Sequence, residues 1–299
     1  MAVAQAPLVD ALRDIATAVD RRFDALLPVP DDARADLYHA MRHAAIGGGK
    51  RLRPLLVRAT GDLLGVDRAC SLSVGTAIEA VHIYSLVHDD LPAMDDDDLR
   101  HGKPTVHTAF GEATAILAGD CLHALAFEIL ADAATHADPF VRSELTLALA
   151  RASGPNGMAG GQAMDLAAAG ATFDLTAVTR LQAMKTGALI ACAVEAGAIL
   201  GRLPPAGRVG LHGYAHDIGL AFQIADDLLD VEGDQALAGK ALRKDADAGK
   251  ETFVSLLGVD RARAQCGMLV EQAVEHLHAY GPQADLLRQI ARFIVERDR

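Results

Sequence analysis

Apolar residues recur three and four positions apart through almost every segment of this chain, and no stretch alternates apolar with polar convincingly enough to read as a strand. That periodicity predicts an all-α fold. Aromatic residues are only 4% of the 299, while alanine and leucine abound, which also favours helix over strand. Proline and glycine supply the punctuation. Pro28 and Pro30 close a first helix near 8–26, and Pro54 suits the first turn of a helix after Gly47-Gly48-Gly49. Further breaks are expected at Leu91-Pro92, Gly102 to Pro104, Asp138-Pro139, Gly154-Pro155, Pro204-Pro205 and Gly281-Pro282, and Lys185-Thr186-Gly187 should break up another helical segment. No low-complexity linker or internal repeat divides the chain. The expectation is one domain, residues 1–299, of about ten to twelve helices.

A formal net charge of −12 argues against a general nucleic-acid binder, which needs a basic face. It does not argue against an anionic substrate, because acidic side chains recruit divalent cations that in turn bind phosphate. The four cysteines, Cys70, Cys121, Cys192 and Cys266, form no CxxC pair and suggest neither zinc nor disulfides. The N-terminus lacks the basic region of a signal peptide. The best apolar run, Ala188 to Leu200, is too short to span a bilayer and carries Glu195. A soluble, cytoplasmic protein with no membrane span is expected.

Two acidic clusters carry the chemistry. In the first, Asp89-Asp90-Leu-Pro-Ala-Met-Asp95-Asp96-Asp97-Asp98, six of ten residues are aspartate, following an apolar helix from about Val74 to His88. Carboxylates so crowded repel one another unless cations lie between them, and magnesium takes a few carboxylates together with phosphate oxygens. In the second, Gln223, Asp226, Asp227 and Asp230 make one polar stripe on a helix whose other residues, such as Phe222, Ile224 and Leu228, are apolar. A solvated acidic face would explain either cluster alone; two of them on apolar helices favour a shared metal site. Neither fits an EF-hand loop.

Basic residues sit beside both clusters. Lys50, Arg51 and Arg53 surround a helix start, Arg100, His101 and Lys103 follow the first acidic run, and Lys240, Lys244 and Lys250 follow the second. The spacing around Lys50 is not that of a nucleotide-binding P-loop.

In order along the chain, Gly49-Lys-Arg-Leu-Arg-Pro54, Glu79 to His82, the DDxxxxD run from Asp89 to Asp95 with Arg100-His-Gly-Lys-Pro-Thr105, Gly160-Gly-Gln162-Ala-Met-Asp165, Lys185-Thr186, the DDxxD run of Phe222 to Asp230, and Gly239-Lys240 to Thr252 resemble the motifs of the trans-isoprenyl diphosphate synthases, and most closely the bacterial farnesyl diphosphate synthases. The resemblance spans about residues 40 to 255. It implies a deep central cavity ringed by helices, a homodimer, and head-to-tail condensation of isopentenyl diphosphate with dimethylallyl or geranyl diphosphate. It also implies three magnesium ions per active site. By position, Asp89, Asp90, Asp95, Asp226 and Asp230 would be the metal ligands or their supports. Arg100, Lys185, Thr186, Gln223, Lys240 and Lys250 would meet the allylic diphosphate, while Lys50, Arg53, His82 and His101 would serve isopentenyl diphosphate. Asp89, Asp95, Arg100, Lys185 and Asp226 would be catalytic. Tyr84, five residues before Asp89, would be the floor that stops chain growth at fifteen carbons.

Two departures stand out. His101 occupies a place where the family usually has arginine, and Arg243 one where it usually has glycine. The alternatives are a longer-chain synthase, a terpene cyclase, a non-catalytic regulatory subunit of the same fold, and a plain metal-binding helical bundle. A regulatory subunit would have lost carboxylates that are all present here.

Overall fold

The computed structural model describes residues 6–168, 171–232 and 250–296. These form fourteen α-helical segments, twelve of them eight residues or longer, with a hairpin of two very short strands. The all-α expectation holds. Three long helices build the first wall: α1 (Ala6–Leu26), α3 (Leu52–Leu63) and α4 (Arg68–Asp89). As the proline signals suggested, α1 ends just before Pro28, and Pro54 lies in the first turn of α3. Between them lies α2 (Ala35–Ala45).

The central helix is α4. Asp67 caps it by accepting from the backbone N–H of Ala69 across 2.7 Å. It is buried on nearly every face, packing on α3 and on α6 (Glu112–Ala131). That explains why its sequence is apolar all round rather than in one stripe. Its last turn delivers Asp89 to the acidic loop. There Leu99–Arg100 (β1) and Lys103–Pro104 (β2) pair antiparallel around a turn with positive φ at both His101 and Gly102. This hairpin, too short to leave a periodic signal, corrects the reading that the chain holds no strand. The short α5 (Val106–Phe110) leads into α6.

Beyond α7 (Pro139–Ser153) and α8 (Met158–Ala168), the helices α9 (Leu175–Gln182) and α10 (Ala188–Leu200) were expected to be broken apart at Lys185. They are joined instead by a π-helical turn, Ala183–Gly187, which inserts extra backbone without interrupting the rod. The second acidic helix, α11 (Val209–Glu232), packs on α10 and on α13 (Val259–His276). The small α12 (Phe253–Leu257) and the last helix α14 (Asp285–Glu296) complete the described residues.

By length and composition α4, α6 and the rod Leu175–Leu200 could each cross a membrane, which corrects the view that the longest apolar run is too short. In the fold, most of the apolar stretch of α4 and of the rod is covered by neighbouring helices, whereas α6 keeps more of its surface open.

Candidate active site

Two cavities share His82, and the larger of these, about 350 Å³, lies between α4, α8 and the π turn. Arg53, His82, Tyr84, Asp89, Gln162 and Lys185 are among its lining residues, with Met158, Ala159 and Leu166 as apolar wall. The rod and α8 approach closely because residue 161 is glycine: a Cβ there would sit 2.2 Å from the backbone nitrogen of Lys185. The π turn presents Lys185 and Thr186 to the cavity from that contact.

Asp165 organises the cations. Its Oδ2 accepts from Lys185 Nζ at 2.9 Å and from Lys250 Nζ at 2.8 Å. Burial works against its ionisation, but the two ammonium charges outweigh burial and hold the carboxyl below the usual range. Across the cavity Asp89 has the opposite balance. Burial pushes it up to about 6; Lys185 opposes the rise, and the neighbouring charge of Asp95 adds to it. The Asp95 N–H closes a loop onto the Asp89 carbonyl at 2.8 Å, which holds the backbone of Asp95 close to Asp89.

Asp90, adjacent to Asp89, turns inward. It is 2% exposed, and its Oδ1 accepts from Nε of Arg100 at 2.7 Å and Nη2 of Arg100 at 2.5 Å. In this arrangement Asp90 anchors the guanidinium rather than lining the larger cavity. Asp227 behaves likewise on α11: it is buried, and its Oδ2 accepts from the backbone N–H of Phe253 at 2.8 Å. Gln223, Asp226 and Asp230 are only partly covered on the same helix.

A smaller cavity of about 70 Å³ adjoins the first, lined by His43, Arg51, His82, Arg100, His101 and Lys103. His82 borders both cavities. Burial, reinforced by Arg53, Arg100, Arg51 and His101, drives the His82 pKa well below its ordinary value, so the ring is neutral. His101 is shifted down as well, first by burial and then by Arg100 and Arg51. Arg53 is partly covered in the cavity wall, and loss of hydration pulls its pKa down, with the charges of Glu79 and Asp226 partly offsetting that cost. That electrostatic link ties α11 to the α4 side of the site.

Among the described residues no three His, Cys, Asp or Glu side chains converge on one point. The donors at the mouth are carboxylates, hard oxygen ligands of the type magnesium takes when phosphate and water supply the rest of its shell. The residues present fit that ion.

The profile of the polyprenyl synthetase family matches residues 34–285. The chain belongs to this family. It is 45% identical over 288 residues to the farnesyl diphosphate synthase of Escherichia coli, covering 93% of this chain and 94% of that one. It is 39% identical to the geranylgeranyl diphosphate synthase of Cyanophora paradoxa, over 88% of each chain. Among solved structures, an FPP/GFPP synthase from Zymomonas mobilis superimposes with a TM-score of 0.89 at 56% identity, over 97% of this chain and 99% of that one.

In this polyprenyl synthetase, the residues singled out from sequence are not all brought to one wall. Arg53, His82, Tyr84, Asp89, Lys185 and Thr186 line the larger cavity, and His82, Asp90, Arg100 and His101 the smaller. Asp95, Gln223, Asp226, Asp230 and Lys250 line neither cavity, nor does Lys50, which stands over the ring of Phe293, 5.5 Å from its centroid. Lys240 and Arg243 lie outside the described residues.

Arg51, grouped by sequence with Lys50 and Arg53, is a structural residue. Its left-handed backbone, φ 52°, turns the side chain into the core, where it pairs with Glu79 at 3.0 Å and Asp20 at 2.9 Å. The anchoring role of Asp165 was not legible, because its two lysine partners come from 20 and 85 residues away. The one available hint was a single acid on a helix otherwise built from small and apolar residues.

Proposed function

We propose that this polyprenyl synthetase joins isopentenyl diphosphate to dimethylallyl and then geranyl diphosphate, head to tail, to give farnesyl diphosphate. The observation that carries the reading is a cavity whose lining combines Asp89, Lys185 and Thr186 with Tyr84, Met158, Ala159, Ala163 and Leu166. Such a site suits a substrate with an anionic head and a hydrocarbon tail.

Asp89 and Asp95 from α4 and its loop, with Asp226 and Asp230 from α11, would hold the magnesium ions. Magnesium, when bound, neutralises the diphosphate as it departs and so favours breaking the allylic C1–O bond. Lys185, held toward the cavity by Asp165, grips the allylic diphosphate together with Thr186, Lys250, Arg100, Gln223 and Lys240. Lys50, Arg53, neutral His82 and His101 would receive isopentenyl diphosphate, His82 and His101 from the wall of the smaller cavity and Arg53 from that of the larger. The apolar walls exclude water, so the allylic cation meets the isopentenyl double bond rather than a hydroxyl. A proton then passes to the departing diphosphate.

The ring of Tyr84 packs edge-on against His123 at 4.7 Å and His88 at 5.7 Å, and in this reading it is the floor. The enzyme acts as a cytoplasmic homodimer in this reading. The outer face of α6 keeps Ile116 and Leu117 exposed, and Phe140 at the start of α7 is 83% exposed, an apolar surface suited to a second copy.

Incubation with isopentenyl diphosphate, dimethylallyl diphosphate and magnesium, followed by chromatography of the products, tests the proposal. The expected main product has fifteen carbons. No condensation product at all would overturn the reading. A main product of twenty carbons or more would keep the chemistry but reject the chain length.

A further inference from the structure

Gln162 is only 9% exposed, and neither Nε2 nor Oε1 of its amide has a hydrogen-bond partner. A buried amide left in that state costs free energy, and an apolar side chain of the same size would not. The side chain lines the larger cavity beside Asp89, Lys185 and Thr186. The other α8 residues on the cavity wall, Met158, Ala159, Ala163 and Leu166, are apolar, so Gln162 is the polar group this helix brings to the cavity. Asp165, one turn on, holds Lys185 and Lys250. Gln162 therefore sets an amide without a protein partner in the same wall as Lys185 and Thr186, where an anionic head would meet an apolar surface.

We propose that Gln162 touches the reacting end of the allylic substrate, with Nε2 donating to the departing diphosphate and Oε1 facing the carbon where positive charge develops. The inference rests on the prenyl-transfer reading above. In that reaction the C1–O bond breaks with both electrons kept by oxygen. The electron pair of the isopentenyl double bond makes the new carbon–carbon bond, and the proton lost leaves on the diphosphate. Gln162 makes and breaks no covalent bond; its amide dipole stabilises the separating charges. A neutral acceptor suits the task, since a carboxylate in its place would compete for the cation by forming an ester.

Gln162→Met keeps the volume and removes the dipole; Gln162→Glu keeps the shape and adds a charge. With geranyl diphosphate, isopentenyl diphosphate and magnesium, both variants should lose about a hundredfold in single-turnover rate. KM for each substrate should stay within about threefold, because the contact matters most as charge separates. The melting temperature of Gln162→Met should equal or exceed that of the unchanged protein. Full-speed turnover by Gln162→Met, or a rise in KM with kcat unchanged, would overturn the role. If the unchanged protein makes no condensation product, the failure lies in the prenyl-transfer reading instead. Should Gln162→Met not fold, the rate of Gln162→Glu decides, a full-speed rate again overturning the role.

Discussion

Lys185 donates to Asp165 across 2.9 Å, from a π turn to a helix whose sequence is otherwise free of charge. The depressed pKa of Asp165 makes this contact a source of stability above the unfolded carboxyl value, near 3.8, that is lost as pH falls through the lower folded value. Asp165→Asn should cost about 2 kcal/mol at neutral pH. The gap between variant and parent in urea denaturation should close below pH 4. The same substitution should lower kcat about ten- to a hundredfold, because both lysines lose their fixed position. Unchanged kcat would mean that the pair serves folding alone.

Asp89 works in the other direction. Its folded pKa, about 6, lies above the unfolded value, so the ionised carboxyl weakens the fold, and stability falls as pH rises from about 4 to 6. Without magnesium, Asp89→Asn should remove that slope and raise the melting temperature at pH 7. Asp89→Ala and Asp226→Ala should each lower kcat about a thousandfold or more with the circular dichroism spectrum preserved, and chelation of magnesium should abolish turnover. Near-normal rates in EDTA would reject the two-cluster metal site.

His101 is neutral at pH 7, since burial, Arg100, Arg51 and Lys103 all disfavour its charge and only Asp90 opposes them. KM for isopentenyl diphosphate should therefore fall as pH drops below 6. His101→Arg should lower KM about fivefold at pH 7 to 8 and flatten that dependence. A KM identical in the two proteins across pH 6 to 8 would exclude His101 from the isopentenyl site.

Tyr84→Ala should open the cavity toward His123 and Phe127 and shift the main product to twenty carbons or beyond, with magnesium dependence intact. Product analysis by chromatography reads this directly. If the variant still stops at fifteen carbons, another group sets the length.

The helices, their proline-marked ends and the two acidic clusters were legible because each depends on residues near one another in sequence. Direction was not. Asp89 and Asp90 are chemically identical and adjacent, yet successive residues on a helix point about 100° apart. One faces the larger cavity, and its neighbour meets Arg100 at the wall of the smaller one. Continuity through Lys185 was equally hidden, since Lys-Thr-Gly carries no mark that separates a π turn from a break. The hold of Asp165 on Lys250 bridges 85 residues, beyond any local pattern.

The left-handed turn at Arg51 has a consequence for how this enzyme can change over time. Arg53 borders the larger cavity, and Lys50 lies over Phe293, away from the Glu79 pair. Arg51, between them, carries the burden of the core through Glu79 and Asp20. A substitution at 53 can therefore retune grip on a substrate while the Arg51 pairs stay intact. A substitution at 51 strands a buried carboxylate and unfolds the protein before any new specificity can be tried. A single inverted residue thus divides one basic motif into a position open to adaptation and a position closed to it.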